Sequence, residues 1–290
     1  MLMQRRILLR IVMLIENTAV SSRLLVEHGM SLYIEFEGRV CIFGTGASSK
    51  LINNAKRMNL SLENVEAIII PHNHLAYTGG IDHLVQINPK VRIFALKAAD
   101  CRPVKKKGPF YSSMGNLSDK IKKHRENFVL FKSFQQVFEG FFLMKNEIED
   151  DLFCITEKTW RVQSGNDYPP DGLEHECFGV LFPYGDRRKG CIILGGCAHC
   201  GLPNMIRTVK KNWGDIPVIS IVTGLHFMDE NPKKLTVDSD FLKRTAEAVR
   251  EENTGAIYTC HCTGLKGYEE LKTYLGTQLQ YLQTGEELSF

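Results

Sequence analysis

Apolar and polar positions along the chain follow two distinct patterns. Ser31 to Glu37 alternates, with Leu32, Ile34 and Phe36 on one face and Tyr33, Glu35 and Glu37 on the other. Glu37-Gly38 then turns into Val40-Cys41-Ile42-Phe43, which predicts a half-buried β-hairpin. Arg6 to Ile15 reads as a strand before it. Arg5-Arg6 and the apolar residues after them resemble a signal peptide, but Arg10 interrupts the stretch, Glu16 closes it and no small-x-small site follows. Leu51, Ala55 and Met58 fall at helical spacing.

The second pattern recurs. A short run of Ile, Val and Leu ends in a loop carrying histidine, and in most cases a helical pattern follows. Ala67-Ile68-Ile69-Ile70 leads to His72 and His74, and Cys191-Ile192-Ile193-Leu194 leads to Gly195-Gly196-Cys197-Ala198-His199. Leu202, Ile206, Val209 and Trp213 then mark a helix that stops at Gly214. Val218 to Val222 leads to Gly224-Leu225-His226, and Ala256 to Thr259 leads to Cys260-His261-Cys262, with Tyr268, Leu271 and Leu275 at helical spacing beyond. Apolar runs without alternation suit strands buried on both faces, so helices are expected to cover the sheets. Residues 97–132, rich in Lys and turn residues, read as an excursion from this core, and Ser164 to Gly172, with Pro169-Pro170, as a loop. No break in composition divides the chain, so residues 1–290 are expected to form one α/β domain with that insertion.

Composition narrows the class. Of 290 residues, 43% are hydrophobic and 24% charged, with a net charge of +3, which excludes a disordered or low-complexity chain. No apolar stretch reaches the roughly 18 residues of a membrane span, and the small net charge implies no nucleic-acid partner. The nine cysteines are odd in number, in a chain too large to need stapling. Cys197, Cys200, Cys260 and Cys262 lie beside histidines. Reduced thiols or a metal site, in a cytoplasmic protein, are the expectation.

Loops after the carboxyl ends of strands tend to meet at one sheet edge, which would gather His72, His74, His199, His226 and His261. Any one of them alone would pass for a hydrogen-bonded loop histidine, but five of the nine at equivalent places argue for a site. His72 and His74, at i and i+2 of an extended segment, point the same way. They can present two imidazoles to one ion, and a third from a distant strand completes a facial site. Three neutral imidazoles and a water form a common catalytic zinc arrangement, which lowers the water pKa to about 7.

Ile70-Pro71-His72-Asn73-His74-Leu75-Ala76-Tyr77-Thr78-Gly79-Gly80 resembles the His-x-His-x-Asp-His-x-Gly-Gly signature of the metallo-β-lactamase superfamily, and Phe43-Gly44-Thr45-Gly46 its Phe-Asp-Thr-Gly. Gly196-Cys197-Ala198-His199, Gly224-Leu225-His226 and Cys260-His261-Cys262-Thr263-Gly264 resemble motifs of the branch related to the archaeal dihydropterin–ribofuranosylaminobenzene phosphate synthase. Glu16-Asn17-Thr18 and Glu27-His28-Gly29-Met30-Ser31 are similar to that branch's opening. The resemblance runs from about residue 11 onward and implies an αββα sandwich with a metal site at the sheet edges. It implies His72, His74 and His199 as ligands of a first ion, His261 as a remnant of a second metal position, and His226 near the substrate.

Three positions depart from the signature. Its Asp is Ala76, its next His is Tyr77, and the Asp of Phe-Asp-Thr-Gly is Gly44. Asp82-His83 does not replace the missing pair. It lies six residues further on, roughly 9 Å and about 600° of helical turn away. Cys197, Cys200 or Cys262 could supply a soft ligand, or could be small buried residues in tight loops. Without the carboxylate, two-metal hydrolysis is disfavoured. One ion, zinc in the first place and manganese or iron otherwise, could still polarise a phosphoryl or carbonyl oxygen, with His226, His261 or Tyr77 handling protons. Tyr77 is a poor base, with an unperturbed pKa near 10.

Residues 97–132 hold ten Lys or Arg against Asp100, Asp119 and Glu126, a balance suited either to an anionic substrate or to a solvated face. Gly44-Thr45-Gly46 fits neither a P-loop nor a dinucleotide fingerprint. The reading is a metal-dependent hydrolase or transferase for a small anionic substrate, phosphorylated or pterin-like. The competing reading is a catalytically impaired relative that binds a metal or ligand.

Overall fold

The protein is described here by a computed structural model covering residues 9–155, 157–228 and 234–290. The expected first strand is β1 (Leu9–Ile15); residues 6–8 of that expectation lie outside the described residues. The hairpin forms from β2 (Ser31–Phe36) and β3 (Arg39–Phe43). Its two-residue turn has positive φ at both Glu37 (52°) and Gly38 (76°), the left-handed pair that matches strand twist. Tyr33, expected on the polar face, is buried there, so of that face Glu35 reaches solvent in part and Glu37 fully.

Helix α1 (Lys50–Arg57) then leads to β4 (Val65–Ile69), the one-turn α2 (Leu75–Thr78), α3 (Ile81–Ile87) and β5 (Arg92–Leu96). The excursion follows as β6 (Pro103–Lys107), β7 (Phe110–Ser113) and α4 (Leu117–Lys123). It ends sooner than its composition suggests. Phe128–Phe131 is β8, which pairs with β5 at the edge of the first sheet. The chain continues through β9 (Phe134–Phe138), β10 (Phe141–Lys145), β11 (Trp160–Val162), β12 (Cys177–Leu181) and β13 (Cys191–Leu194). Last come α5 (Leu202–Trp213), β14 (Val218–Thr223), α6 (Ser239–Glu251), β15 (Ala256–Thr259), α7 (Gly264–Leu275), β16 (Leu279–Tyr281) and β17 (Glu287–Ser289).

Two seven-stranded sheets result, ordered β17-β1-β2-β3-β4-β5-β8 and β16-β15-β14-β13-β12-β10-β9. Their facing surfaces share one core, in which Ile192, Leu194 and Val222 of the second sheet meet residues of the first. Leu51 and Ala55 of α1 with Ile81 and Leu84 of α3 pack into the core of the first sheet, and α5, α6 and α7 cover the second through Ile206, Val249 and Leu271. The layers are αββα. Strands β3-β4-β5-β8 and β13-β14-β15-β16 run parallel, so β4, β13, β14 and β15 deliver their following loops at carboxyl ends. A third sheet, β11-β6-β7, is built from the excursion and the segment around Trp160.

Candidate metal centre

The four loops after β4, β13, β14 and β15 bring all five predicted histidines together. Ring centroids lie 4.5 Å apart for His72 and His74, 5.0 Å for His72 and His199, 5.3 Å for His74 and His199, and 4.3 Å for His199 and His226. His261 stands on the far side of Tyr77, whose ring is 4.5 Å from His72 and 5.6 Å from His261. All five histidines are buried. Ala198, His226 and His261 have φ of 50°, 47° and 51°, a left-handed conformation that costs non-glycine residues energy and gathers where a site is being shaped.

Polar side chains hold each loop. Glu176, fully buried, accepts the backbone N–H groups of His199 and Cys200 at 2.8 Å each. Glu16, also buried, accepts the His261 N–H and the Tyr281 hydroxyl, both at 3.1 Å, while Asn17 brackets His261 through its carbonyl and ring. The Glu16-Asn17-Thr18 segment is thus the brace of the last histidine. Leu225 N–H donates to Thr263 Oγ1 at 2.8 Å and His226 N–H to Cys262 Sγ at 3.2 Å, which ties two loops to each other.

The donor set suits an ion. His72 Nε2 and His74 Nδ1 face each other at 3.1 Å. Two nitrogens on one tetrahedral zinc, each about 2.0–2.1 Å from it, stand about 3.3 Å apart. Both ring nitrogens of His199, with Nδ1 of His72 and Nε2 of His74, are buried without a hydrogen-bond partner among the described residues. Such a nitrogen costs about 1–3 kcal/mol unless something fills its lone pair. Burial, then the neighbouring histidines, holds the pKa of His72 and His199 far below that of free imidazole, and burial does the same for His74 and His261. These rings are neutral near pH 7, as ligation requires.

Among the described residues three compact groups of ligand atoms emerge, each within 4.8 Å: His72 with Cys197 and His199, Cys197 with His261 and Cys262, and His74 with Asp171 and His175. Cys197 and Cys262 therefore belong to the centre. Cys200 does not: it is buried beside Trp160 and Leu173. Asp82 is excluded, as expected, because its carboxylate is occupied by Lys120 at 2.8 Å, Lys123 at 3.0 Å and His124 at 2.7 Å.

Tyr77 does not fit the part of a proton carrier suggested by its sequence position. It is wholly buried, its hydroxyl sits 3.1 Å from Cys197 Sγ, and burial pushes its pKa well above that of free tyrosine. Its ring also explains a second departure from the signature. A Cβ on Gly44 (φ 70°) would meet Tyr77 Cδ1 at 2.8 Å and the Met30 carbonyl at 2.6 Å. The changes at 44 and 77 are one packing arrangement.

Sequence reasoning did not foresee Trp160, Asp171, His175 and Glu176. Trp160 stacks edge-on over the cluster, 5.0–5.5 Å from His74, His199 and His226. Asp171 Oδ2 and His175 Nε2 are 3.1 Å apart, and Asn73 N–H donates to His175 Nδ1 at 3.3 Å. The only local hint was the i, i+4 spacing of Asp171 and His175.

A cavity of about 360 Å³ opens over the centre, lined by His74, His226, His261, Cys197 and Cys262 below and by Lys105, Ser112, Ser113, Met114 and Trp160 of the third sheet above. That volume falls in the usual range for small ligands. The excursion is anchored as its roof: Asn73 donates to the carbonyls of Ala99 and Cys101, and Leu75 N–H donates to the Met114 carbonyl at 2.7 Å. Of its basic residues, Lys105 is the one that lines the cavity, and it pairs with Glu157 at 3.3 Å.

Two packed mixed sheets covered by helices, with histidine loops at one edge, define the metallo-β-lactamase fold. The structure superposes on a metal-dependent hydrolase of the β-lactamase superfamily with a TM-score of 0.77, at 18% identity over 97% of this chain and 98% of that one. It superposes on the metallo-β-lactamase-fold protein YhfI from Bacillus subtilis with a TM-score of 0.59, at 9% identity over 98% of this chain and 100% of that one. In sequence, the chain is similar to 7,8-dihydropterin-6-methyl-4-(β-D-ribofuranosyl)-aminobenzene-5'-phosphate synthase of Methanocaldococcus jannaschii, 26% identical over 283 residues, 91% of this chain and 90% of the relative. An uncharacterized protein of the same organism is 22% identical over 274 residues, 89% of this chain and 92% of that protein. No protein-family model matches.

Proposed function

We propose that the chain is a metal-dependent hydrolase or transferase that holds an ion, zinc in the first place, through His72, His74 and His199, and acts on a small phosphorylated substrate with an aromatic ring. The observation that carries this reading is the convergence of these neutral imidazoles, two with nitrogens 3.1 Å apart, at the base of a cavity that His74 itself lines. The bound ion would supply Lewis-acid polarisation of a phosphoryl or carbonyl oxygen.

The chain's own residues do the rest. Trp160 and Met114 offer apolar faces to a planar ring and keep bulk water off the histidines. Lys105 brings a cationic donor to the roof for an anionic group, beside Ser112 and Ser113, whose hydroxyls donate to the carbonyls of Lys105 and Gly115. His226, at the cavity wall 4.3 Å from His199, is the group placed to carry a proton, and His261 the second. The similarity to a synthase whose named product is a ribofuranosyl aminobenzene phosphate supports this substrate class.

A panel of phosphomonoesters, phosphodiesters and phosphoribosyl compounds, offered to metal-reloaded protein, tests the proposal. Turnover should fall about 10²–10⁴-fold in His226→Ala with metal content unchanged, and vanish in His74→Ala. A second reading, a binding protein without turnover, is favoured by the Tyr77 ring occupying the room beside Gly44. No turnover on the panel, together with tight binding of a phosphoribosyl ligand, would replace the first reading by the second.

A further inference from the structure

We propose that Cys197, Cys262 and His261 form a second metal position, a soft-donor site of two thiolates and one imidazole beside the three-histidine group. One sulfur and one ring from the end of β15 and one sulfur from the end of β13 place their ligand atoms within 4.8 Å of one another, and all three residues are buried. A ring nitrogen of His261 lies within 4.8 Å of both sulfurs. Its Nδ1 is engaged by Asn17 Oδ1 at 3.3 Å, while its Nε2 is buried with no hydrogen-bond partner among the described residues. A ring nitrogen fixed from behind is the usual arrangement of a ligating histidine. Cys262 Sγ accepts the His226 N–H at 3.2 Å, which fixes the sulfur's position between the two loops. The neighbouring Cys260 turns away, its sulfur 3.7 Å from Met30 Sδ.

Two sulfurs and one nitrogen select zinc, cobalt, iron(II) or copper(I) over magnesium, calcium or manganese. All three residues also line the cavity, so three protein ligands leave a fourth position open to it, the pattern of reactive rather than purely structural sites. Cys197 belongs at the same time to the group with His72 and His199, so its sulfur stands between the two positions. On binding, each thiol releases its proton to solvent and no electron is transferred. The site extends the reading given under Proposed function but does not depend on the ion held by His72, His74 and His199.

Titration of the reduced, metal-free full chain with cobalt(II), followed by absorption, tests this site. We expect two equivalents to bind, with a near-ultraviolet thiolate-to-cobalt charge-transfer band. The band should vanish in Cys197→Ser/Cys262→Ser and persist in Cys200→Ser and in His74→Ala. His261→Ala keeps both sulfurs and should retain the band while weakening the second equivalent at least tenfold. It keeps the question answerable if the double variant fails to fold by circular dichroism. One equivalent without a charge-transfer band, a band that survives the double variant, or a Cys197–Cys262 disulfide in protein purified without reductant would overturn the proposal. A single bandless equivalent lost in His74→Ala would overturn this site alone and leave the three-histidine site intact.

Discussion

At residue scale, the departures from the metallo-β-lactamase signature that the sequence resembles are mutually consistent. Gly44 is left-handed and has no room for a side chain, because Tyr77 and the Met30 carbonyl fill that space. Gly44→Ala should destabilise by at least about 2 kcal/mol, combining overpacking with a strained φ. In a Tyr77→Ala background the Gly44→Ala cost should be smaller, since one of the two clashes is gone. Strictly additive urea-unfolding energies would contradict that coupling. Glu176 gives a second prediction. Glu176→Ala leaves two buried amides bare, at about 1–3 kcal/mol each, whereas Glu176→Gln retains an acceptor and should cost less. Equal unfolding midpoints for the two variants would show that the carboxylate does not hold the His199 loop. The histidines were legible because each ends an apolar run. Trp160, Asp171, His175 and Glu176 were not, because tertiary approach rather than local pattern brings them to the centre.

At the scale of elements, the strands written as short apolar runs were the readable ones. β4, β13, β14 and β15 are short apolar runs closed by a loop, and each stands where that pattern predicts. The third sheet left no such trace. β7 is exposed along its whole length, so no buried face imposes a period on Phe110 to Ser113. β12 did carry a signal, the apolar run Cys177 to Leu181 before Pro183, and it is wholly buried. The excursion looked like a basic surface because its charges dominate its composition, yet Lys120, Lys123 and His124 converge on Asp82 of α3 and anchor α4 there. Against the opposing cost of burial, hydrogen bonds from these three side chains hold the Asp82 carboxyl well below the usual carboxylate range. Asp82→Ala should therefore raise amide exchange across 97–127 while leaving β13 to β15 protected. Unchanged exchange in that segment would contradict the clamp.

At the scale of the whole molecule, one sheet edge collects a set of buried neutral imidazoles, and this links stability to pH. The pKa values of His72, His74, His199 and His261 are depressed in the folded chain by burial. Above the unfolded value of about 6.5 both states are neutral and nothing is lost. As pH falls below it, the unfolded chain takes up protons first, so stability declines by up to about 1.4 kcal/mol per pH unit for each such histidine. The urea midpoint of metal-free protein should be clearly lower at pH 5 than at pH 7.5; equal midpoints would show that these rings are not held neutral. Among the described residues no helix is long and apolar enough to cross a membrane, and the structural neighbours share the fold at low identity. The central claim is therefore the ion itself. Elemental analysis of wild-type protein beside His74→Ala, both reconstituted and desalted, tests it most directly. We predict at least one equivalent in the wild type and one fewer in the variant. No metal in the wild type, or the same content in both proteins, would contradict the three-histidine centre.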